Sequence, residues 1–544
     1  MKKILSLMLA SFICLSALSG CGKKNEENKG NQTTENKQEE KKAGKKEVNV
    51  AIGKDIAELN VHNYSGDMAM QSMVYEGLVK NTEKGPIPWL AEKWEISPDG
   101  TEYTFHLRKD VKFHDGTKLD AEAVKKNFDA INRNAERHSW IAFSKAFKEV
   151  KVVDEYTVKI VLKYAYYPAL MELGLTRPYR MISPAVFKNG ETKDGIIKES
   201  GTGPWVLESK DPKKSATFAA NKDYWGNKSD IQKITFKVMP TGQTTLLALE
   251  KGELDFLFTA SGAQDLIDAD AIKNLKSQGK VQVVQSKPMA TRFFVISTAK
   301  QGAAITDKNV REAIWYAIDR ENMIKTTLGG AEDAADTLFA KTAPYCNIDL
   351  KKRGFDVNKA KELLDKAGWK EESGKEYRMK DGKELSVKLY YYSDRAGQKQ
   401  MVEFIQSNLK NVGIKTELFA EEKSGIYERR KSGDYELAVD QTWGAPYDPP
   451  STVSAFTAQG SYLNCIKGLE NHEGLIKDIT EVLKSTDEKA RQDLYTKILT
   501  KVHDEVAFIP LSFSKVTVIA PSSFTNIVFN QSQYEIPFEE FKFK

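Results

Sequence analysis

Apolar and polar positions alternate with period two over several short runs of the chain. They recur at helical spacing over several longer ones. Residues 48–52 alternate and predict a first strand. Tyr103, Phe105 and Leu107 interleave with Thr104, His106 and Arg108 and predict another, entered through the Pro98-Asp-Gly100 turn. Further strands are expected at 156–162, 204–206, 234–239, 387–392, 416–419 and 435–440. Helices are expected after Gly66-Asp67, after Asp120 (apolar face Val124, Phe128, Ile131) and after Asp307 (Val310, Ile314, Ile318). In the last two cases the Asp side chain can cap the first turn. Residues 167–175, 357–367, 396–412 and 488–502 read as helices as well. Strands and helices interleave throughout, which predicts an α/β body.

The first residues follow a different rule. Met1-Lys2-Lys3 precedes an apolar run over 4–18 that is too short to span a bilayer. Leu18-Ser-Gly-Cys21 then closes the segment, so the stretch reads as a secretory signal. The small residues before Cys21 resemble a bacterial lipobox. That resemblance makes Cys21 the lipid-bearing first residue of the mature chain. Residues 22–46 are nearly all Lys, Glu, Asn, Gln, Thr and Gly, a composition that buries no core and predicts a disordered tether. The remaining body, 47–544, exceeds the size at which one core divides, so at least two lobes are expected.

Charge and cysteine usage narrow the class. A net charge of +5 over 544 residues, with both signs interspersed, gives no footprint for nucleic acid. Of four cysteines only Cys346 and Cys465 lie in the body. Nothing in their spacing demands a disulfide. There is no P-loop, dinucleotide turn, nucleophile elbow, zinc helix or CxxC pair, and Gly201-Thr-Gly203 lacks the spacing of a phosphate loop. The six histidines have no partner at metal-ligand spacing. No enzymatic chemistry is expected.

Three stretches carry binding chemistry. Asp440-Gln-Thr-Trp-Gly-Ala-Pro-Tyr-Asp-Pro-Pro450 mounts Trp443 and Tyr447 on a proline-braced loop at the end of a strand. Arg137-His-Ser-Trp140 and Arg177-Pro-Tyr-Arg180 each set an arginine beside an aromatic ring at the end of a helix. A guanidinium is a planar fork suited to carboxylates.

Ser72-Met-Val-Tyr-Glu-Gly-Leu-Val79, Trp89-Leu-Ala-Glu-Lys-Trp94, Ser97-Pro-Asp-Gly-Thr101, Tyr103-Thr-Phe-His-Leu-Arg108 and Val111-Lys-Phe-His-Asp-Gly-Thr117 resemble the signature of family-5 extracellular solute-binding lipoproteins. These are the receptors of dipeptide, oligopeptide and nickel ABC importers. Arg137-His-Ser-Trp140, Thr176-Arg-Pro-Tyr-Arg180, Asn221-Lys-Asp-Tyr-Trp225, Asp336-Thr-Leu-Phe-Ala340, Thr442-Trp-Gly-Ala-Pro-Tyr-Asp448 and Tyr534-Glu-Ile-Pro-Phe538 resemble the nickel and metal-metallophore branch.

The resemblance implies a two-lobe, periplasmic-binding-protein-like flytrap (class II, cluster C). Its first lobe is 47–291 plus 506–544, with an inserted subdomain at 87–203, and its second lobe is 292–505. It implies a cleft lined by Tyr64, Met68, Arg137, Trp140, Arg177, Trp443 and Tyr447. The ligand it implies is a small chelate or metallophore of Ni²⁺, or of Co²⁺, Zn²⁺ or Cu²⁺, with no permanently bound cofactor; the alternative ligand is a peptide. Classical nickel receptors carry a metal-binding histidine at the position that a gapless count places at Ser461 here, so the chelator is expected to supply the ligands. His62 and His138 are the remaining candidates for a direct protein ligand. The expected partners are an ABC permease with its ATPase subunits and, through the lipid, the outer face of the cytoplasmic membrane of a Gram-positive cell. A monomer is expected.

Overall fold

The computed structural model describes residues 46–53, 56–239, 242–259, 269–442, 447–458 and 462–544. The expected signal, Cys21 and most of the tether therefore lie outside the described residues, as do Trp443 and Ser461.

The first strand, Glu47–Ile52, pairs in parallel with Lys233–Val238. That strand continues antiparallel into Ser215–Ala220 and Trp205–Asp211. Beside this sheet, Leu257–Thr259, Thr517–Pro521 and Val281–Gln285 form a three-stranded sheet. Val50, Trp205, Phe218, Phe236, Phe256, Ile536, Phe538 and Phe541 are buried in one core, so the last residues of the chain complete the first lobe.

A four-stranded antiparallel sheet, ordered Ala91–Ile96, Glu102–Leu107, Thr157–Leu162 and Phe147–Asp154, carries its own core from Leu78 to Met181. The helix Ala121–Arg133, capped by Asp120, covers it with Val124, Phe128 and Ile131. Core membership therefore sets this subdomain at 78–181 rather than 87–203, because Ile182, Val186, Phe187 and Ile196 pack into the first-lobe core.

The second lobe is built on a six-stranded mixed sheet. Its order is Asp333–Ala334, Phe508–Ser514, Ala290–Ile296, Leu437–Gln441, Ser386–Tyr392 and Lys415–Glu421. Ala290–Ile296 is fully buried. Phe294 and Ile296 face the core formed with the helices Lys308–Ala317, Val357–Lys366 and Ala396–Lys410. Phe293 and Val295 face the opposite core, formed with His472–Lys484 and Glu488–Asp504. A strand covered on both faces reads as a continuous apolar run, which is what Phe293-Phe-Val-Ile296 is.

Sheet membership corrects the expected crossings at 291 and 505. Phe508–Ser514 pairs with Ala290–Ile296, so it belongs to the second lobe, and the chain returns to the first lobe only at 515–516. The outward crossing lies at 286–289. Pro510 disguises the returning strand, since proline seldom occupies a central strand. It is accommodated by a register shift between Arg292 and Phe293. The two crossings are bonded to each other: Ser286 N donates to Val516 O (2.9 Å), and Met289 N donates to Ser514 O (2.8 Å).

Candidate ligand-binding site

The site begins at a tight bend, residues 60–68. Asn60 Oδ1 accepts from the backbone N–H of His62 (3.1 Å) and Asn63 (3.2 Å), closing a single 3₁₀ turn. Tyr64 ends that turn in the left-handed region (φ +56°). Gly66 follows at φ +89°, and a Cβ there would come within 2.7 Å of Glu58 O and a Leu59 methyl, so only glycine fits. Asp67 then caps the helix Met68–Val74, with Oδ1 accepting from Ala69 N at 2.8 Å. Met68 is half-buried at the start of this helix, one turn before Gln71.

Residues 137–140 are laid against this bend. Arg137 Nη2 donates to Asn63 O, and its guanidinium lies 5.3 Å from the Tyr64 ring centroid. Trp140 Nε1 donates to Tyr64 Oη at 3.0 Å, and Tyr64 Oη is 2.7 Å from His138 Nδ1. The phenol oxygen thus joins the indole of Trp140 to the Nδ1 edge of the His138 imidazole, whose other nitrogen is Nε2. That nitrogen is buried without a hydrogen-bond partner among the described residues. Trp140 keeps 53% of its surface exposed, a large apolar face turned to solvent. An open groove of about 760 Å³ runs alongside, bounded by Glu58, Asn63, Tyr64, Asn134 and Arg137.

Arg177 reaches the same bend from the other side. Its Nε donates to Gln71 Oε1 (2.5 Å) and its Nη2 to Gly66 O. Burial lowers its pKa to about 10; Asp67 and Tyr64 raise it and Arg137 lowers it, so the group stays cationic at neutral pH. Burial raises the Tyr64 phenol, against the pull of the Trp140 indole and of Arg137 and Arg177. Burial, helped by Arg137, brings His138 down to about 4. At neutral pH the phenol and imidazole are therefore neutral. The two guanidinium groups hold only neutral acceptors and form no ion pair among the described residues.

The structure thus brings Tyr64, Met68, Arg137, Trp140 and Arg177 to one bend. Two other expectations differ. Tyr447 is a core residue: its hydroxyl accepts from Ala340 N (2.7 Å) and lies 2.8 Å from Thr291 Oγ1, and its ring packs beside Phe339. Asp448, directly after it, is buried as the cap of Pro449–Val453 and draws this end of the loop inward. His62 is buried with both nitrogens engaged, Nδ1 with Thr192 Oγ1 (3.0 Å) and Nε2 with Arg180 O (3.0 Å). Burial brings its pKa down to about 3, so it braces the bend and offers no lone pair to a metal. Among the described residues no three His, Cys, Asp or Glu side chains group to hold a metal ion.

Sequence reasoning did not place Gln71, Asn63 or Tyr534 at the site. Tyr534 sits on a C-terminal segment pinned by Glu535, which accepts from Arg180 Nη2 (2.8 Å), Asn530 Nδ2 (3.1 Å) and the Thr176 hydroxyl. Burial pushes the Tyr534 phenol up to about 12, while Arg395 and Arg177 pull it down.

The family model for bacterial extracellular solute-binding proteins, family 5 Middle, matches residues 85–464. The chain is 40% identical over 499 residues to the nickel-binding periplasmic protein of Escherichia coli K12, covering 91% of this chain and 94% of that one. It is 27% identical over 468 residues to the dipeptide-binding protein of the same organism, covering 79% and 81%. The crystal structure of NikA from Brucella suis in complex with Fe(III)-EDTA superposes with a TM-score of 0.88 at 40% identity, covering 92% of this chain and all of that one.

Proposed function

The chain belongs to the family-5 bacterial extracellular solute-binding proteins, and from that premise we propose that it captures nickel, or a related transition metal, as a small carboxylate-bearing chelate and delivers it to an ABC importer. One observation carries the reading. Arg137 and Arg177 present two cations with neutral acceptors only, beside the aromatic wall of Tyr64 and Trp140, and without a protein metal-ligand group among the described residues. Such a site repels a free divalent cation and attracts the outer carboxylates of a chelate whose coordination sphere is already filled.

The relatives named above support nickel over a peptide. So does Asp440, an acid on the strand that leads to the cleft loop, which is held by Arg430 and Tyr462 and is not placed to receive a peptide amine. In this reading the two lobes close about the crossings at 286–289 and 515–516. Cys21 carries a lipid that holds a monomer at the outer face of the membrane.

Calorimetric titration of the purified apo-protein tests the reading. Ni²⁺ alone should give no heat of binding, and Ni²⁺ premixed with L-histidine should bind at micromolar concentration or below. Micromolar binding of Ni²⁺ alone, or of di- and tripeptides in place of the chelate, overturns it.

A further inference from the structure

The cleft cations described so far, Arg137 and Arg177, both belong to the first lobe. The second lobe carries another arginine, Arg395, at one edge of its sheet. Ser386–Tyr392 and Leu437–Gln441 run parallel, with Leu389 opposite Leu437 and Tyr390 opposite Ala438. Carried two residues on, this register sets Tyr392 level with Asp440. The strand ends at Tyr392 and Gln441 therefore lie at the same edge, the carboxyl ends of parallel strands where α/β sheets bind ligands. Gln441 Nε2, at that edge, contacts Gln533 Oε1 (3.4 Å), which ties it to the segment carrying Tyr534.

Arg395 follows the strand that ends at Tyr392, directly before the helix Ala396–Lys410. It is half-buried, and its guanidinium lies over the Tyr392 ring, 4.6 Å from the centroid. Among the described residues it has no ion-pair partner. Asp440, level with Tyr392 on the neighbouring strand, is held by Arg430 and by Tyr462 Oη (3.1 Å). Arg395 and Arg177 both lower the Tyr534 phenol against burial, so both charges act on the segment to which Gln441 is tied.

We propose that Arg395 is the cation contributed by the second lobe and that it takes a further carboxylate of the chelate. The protein would then select chelators with three or more carboxylates over those with two. The selection arises because a third carboxylate spans the cleft: it joins the Arg395 edge to the Arg137 and Arg177 edge and ties ligand affinity to lobe closure. A dicarboxylate chelate satisfies the first lobe and leaves Arg395 solvated. This inference rests on the metal-chelate reading.

The test uses the full extracellular chain with Arg395→Gln and Arg395→Lys, titrated with nickel nitrilotriacetate (three carboxylates) and nickel bis-histidine (two). The expected result is that Arg395→Gln weakens nitrilotriacetate binding by about tenfold or more, the scale of one charge-assisted hydrogen bond. Bis-histidine binding should move less than about twofold, Arg395→Lys should be intermediate for nitrilotriacetate, and the melting temperatures should stay the same. Equal weakening for both chelates, or no change for either, overturns the role of Arg395. Failure of the unaltered protein to bind either chelate is seen separately, in the wild-type arm, and overturns the metal-chelate reading and this inference with it.

Discussion

Tyr64 Oη and His138 Nδ1 are joined by a 2.7 Å hydrogen bond, and the Trp140 indole donates to the same oxygen at 3.0 Å. The phenol oxygen is thereby held between two side chains of the 137–140 stretch. His138 is therefore a positioning residue for Tyr64.

Removing that partner should leave the Tyr64 hydroxyl short of a hydrogen bond. An unsatisfied buried polar group costs about 1–3 kcal/mol. His138→Leu is expected to weaken chelate binding by about tenfold through loss of Tyr64 orientation. His138→Asn, which returns an oxygen near the position of Nδ1, should restore most of it. Calorimetry on both variants checks this, and equal affinities in the two would show that the imidazole acts only through packing.

The two arginines should separate under mutation. Either one replaced by Ala is expected to cost roughly 1.5–3 kcal/mol of chelate binding, as for a charge-assisted hydrogen bond. Arg177→Ala should also lower the melting temperature, because Arg177 braces Gly66 O and Gln71 inside the bend. Arg137, exposed on the surface, should be thermally silent when replaced. Wild-type affinity in both variants would remove the clamp.

Stability should respond to pH in two opposed windows. Burial depresses His62 to about 3 and His138 to about 4. Their contribution is thus present above the unfolded value of about 6.5 and is lost as pH falls towards the folded values. Glu172 and Asp448 are raised by burial to about 7. Their contribution is present below the unfolded value of about 4 and is lost as pH rises to 7. The double variant Glu172→Gln, Asp448→Asn should therefore flatten the fall in melting temperature between pH 5 and pH 8. An unchanged slope would assign that fall to other groups.

Glu535 holds the C-terminal segment through Arg180, with both side chains nearly buried (11% and 9% exposed). Removing one partner of a buried pair typically costs 3–5 kcal/mol. Glu535→Ala should lower the melting temperature and also release Tyr534, so binding weakens beyond the loss in stability. Chelate titration well below the melting point separates the two effects.

Much of the frame was legible in the sequence. Asp120 and Asp307 cap the helices they were expected to cap, since side-chain capping is local chemistry, and Asp67 caps the helix expected to follow it. The helix expected at 167–175 shrinks to Ala169–Leu173, bounded by Pro168 and Gly174. Phe508–Ser514 escaped notice because Pro510 argues locally against a strand, and a bulge at Leu511 in that same strand accommodates it. Arg137, Trp140 and Arg177 carried a readable signal, an arginine beside an aromatic ring at an element boundary. Gln71 and Asn63 did not, because each acts through an atom fixed by the fold of another segment.

The paired crossings have a consequence for the chain as a covalent object. The two lobes are joined by a two-stranded ribbon in which Ser286 and Met289 are bonded to Val516 and Ser514. A protease that cut once within 286–289 would leave the second crossing intact, together with the pairing of Ala290–Ile296 against Phe508–Ser514. The nicked molecule should migrate as two fragments in denaturing gels yet remain a single particle in native ones.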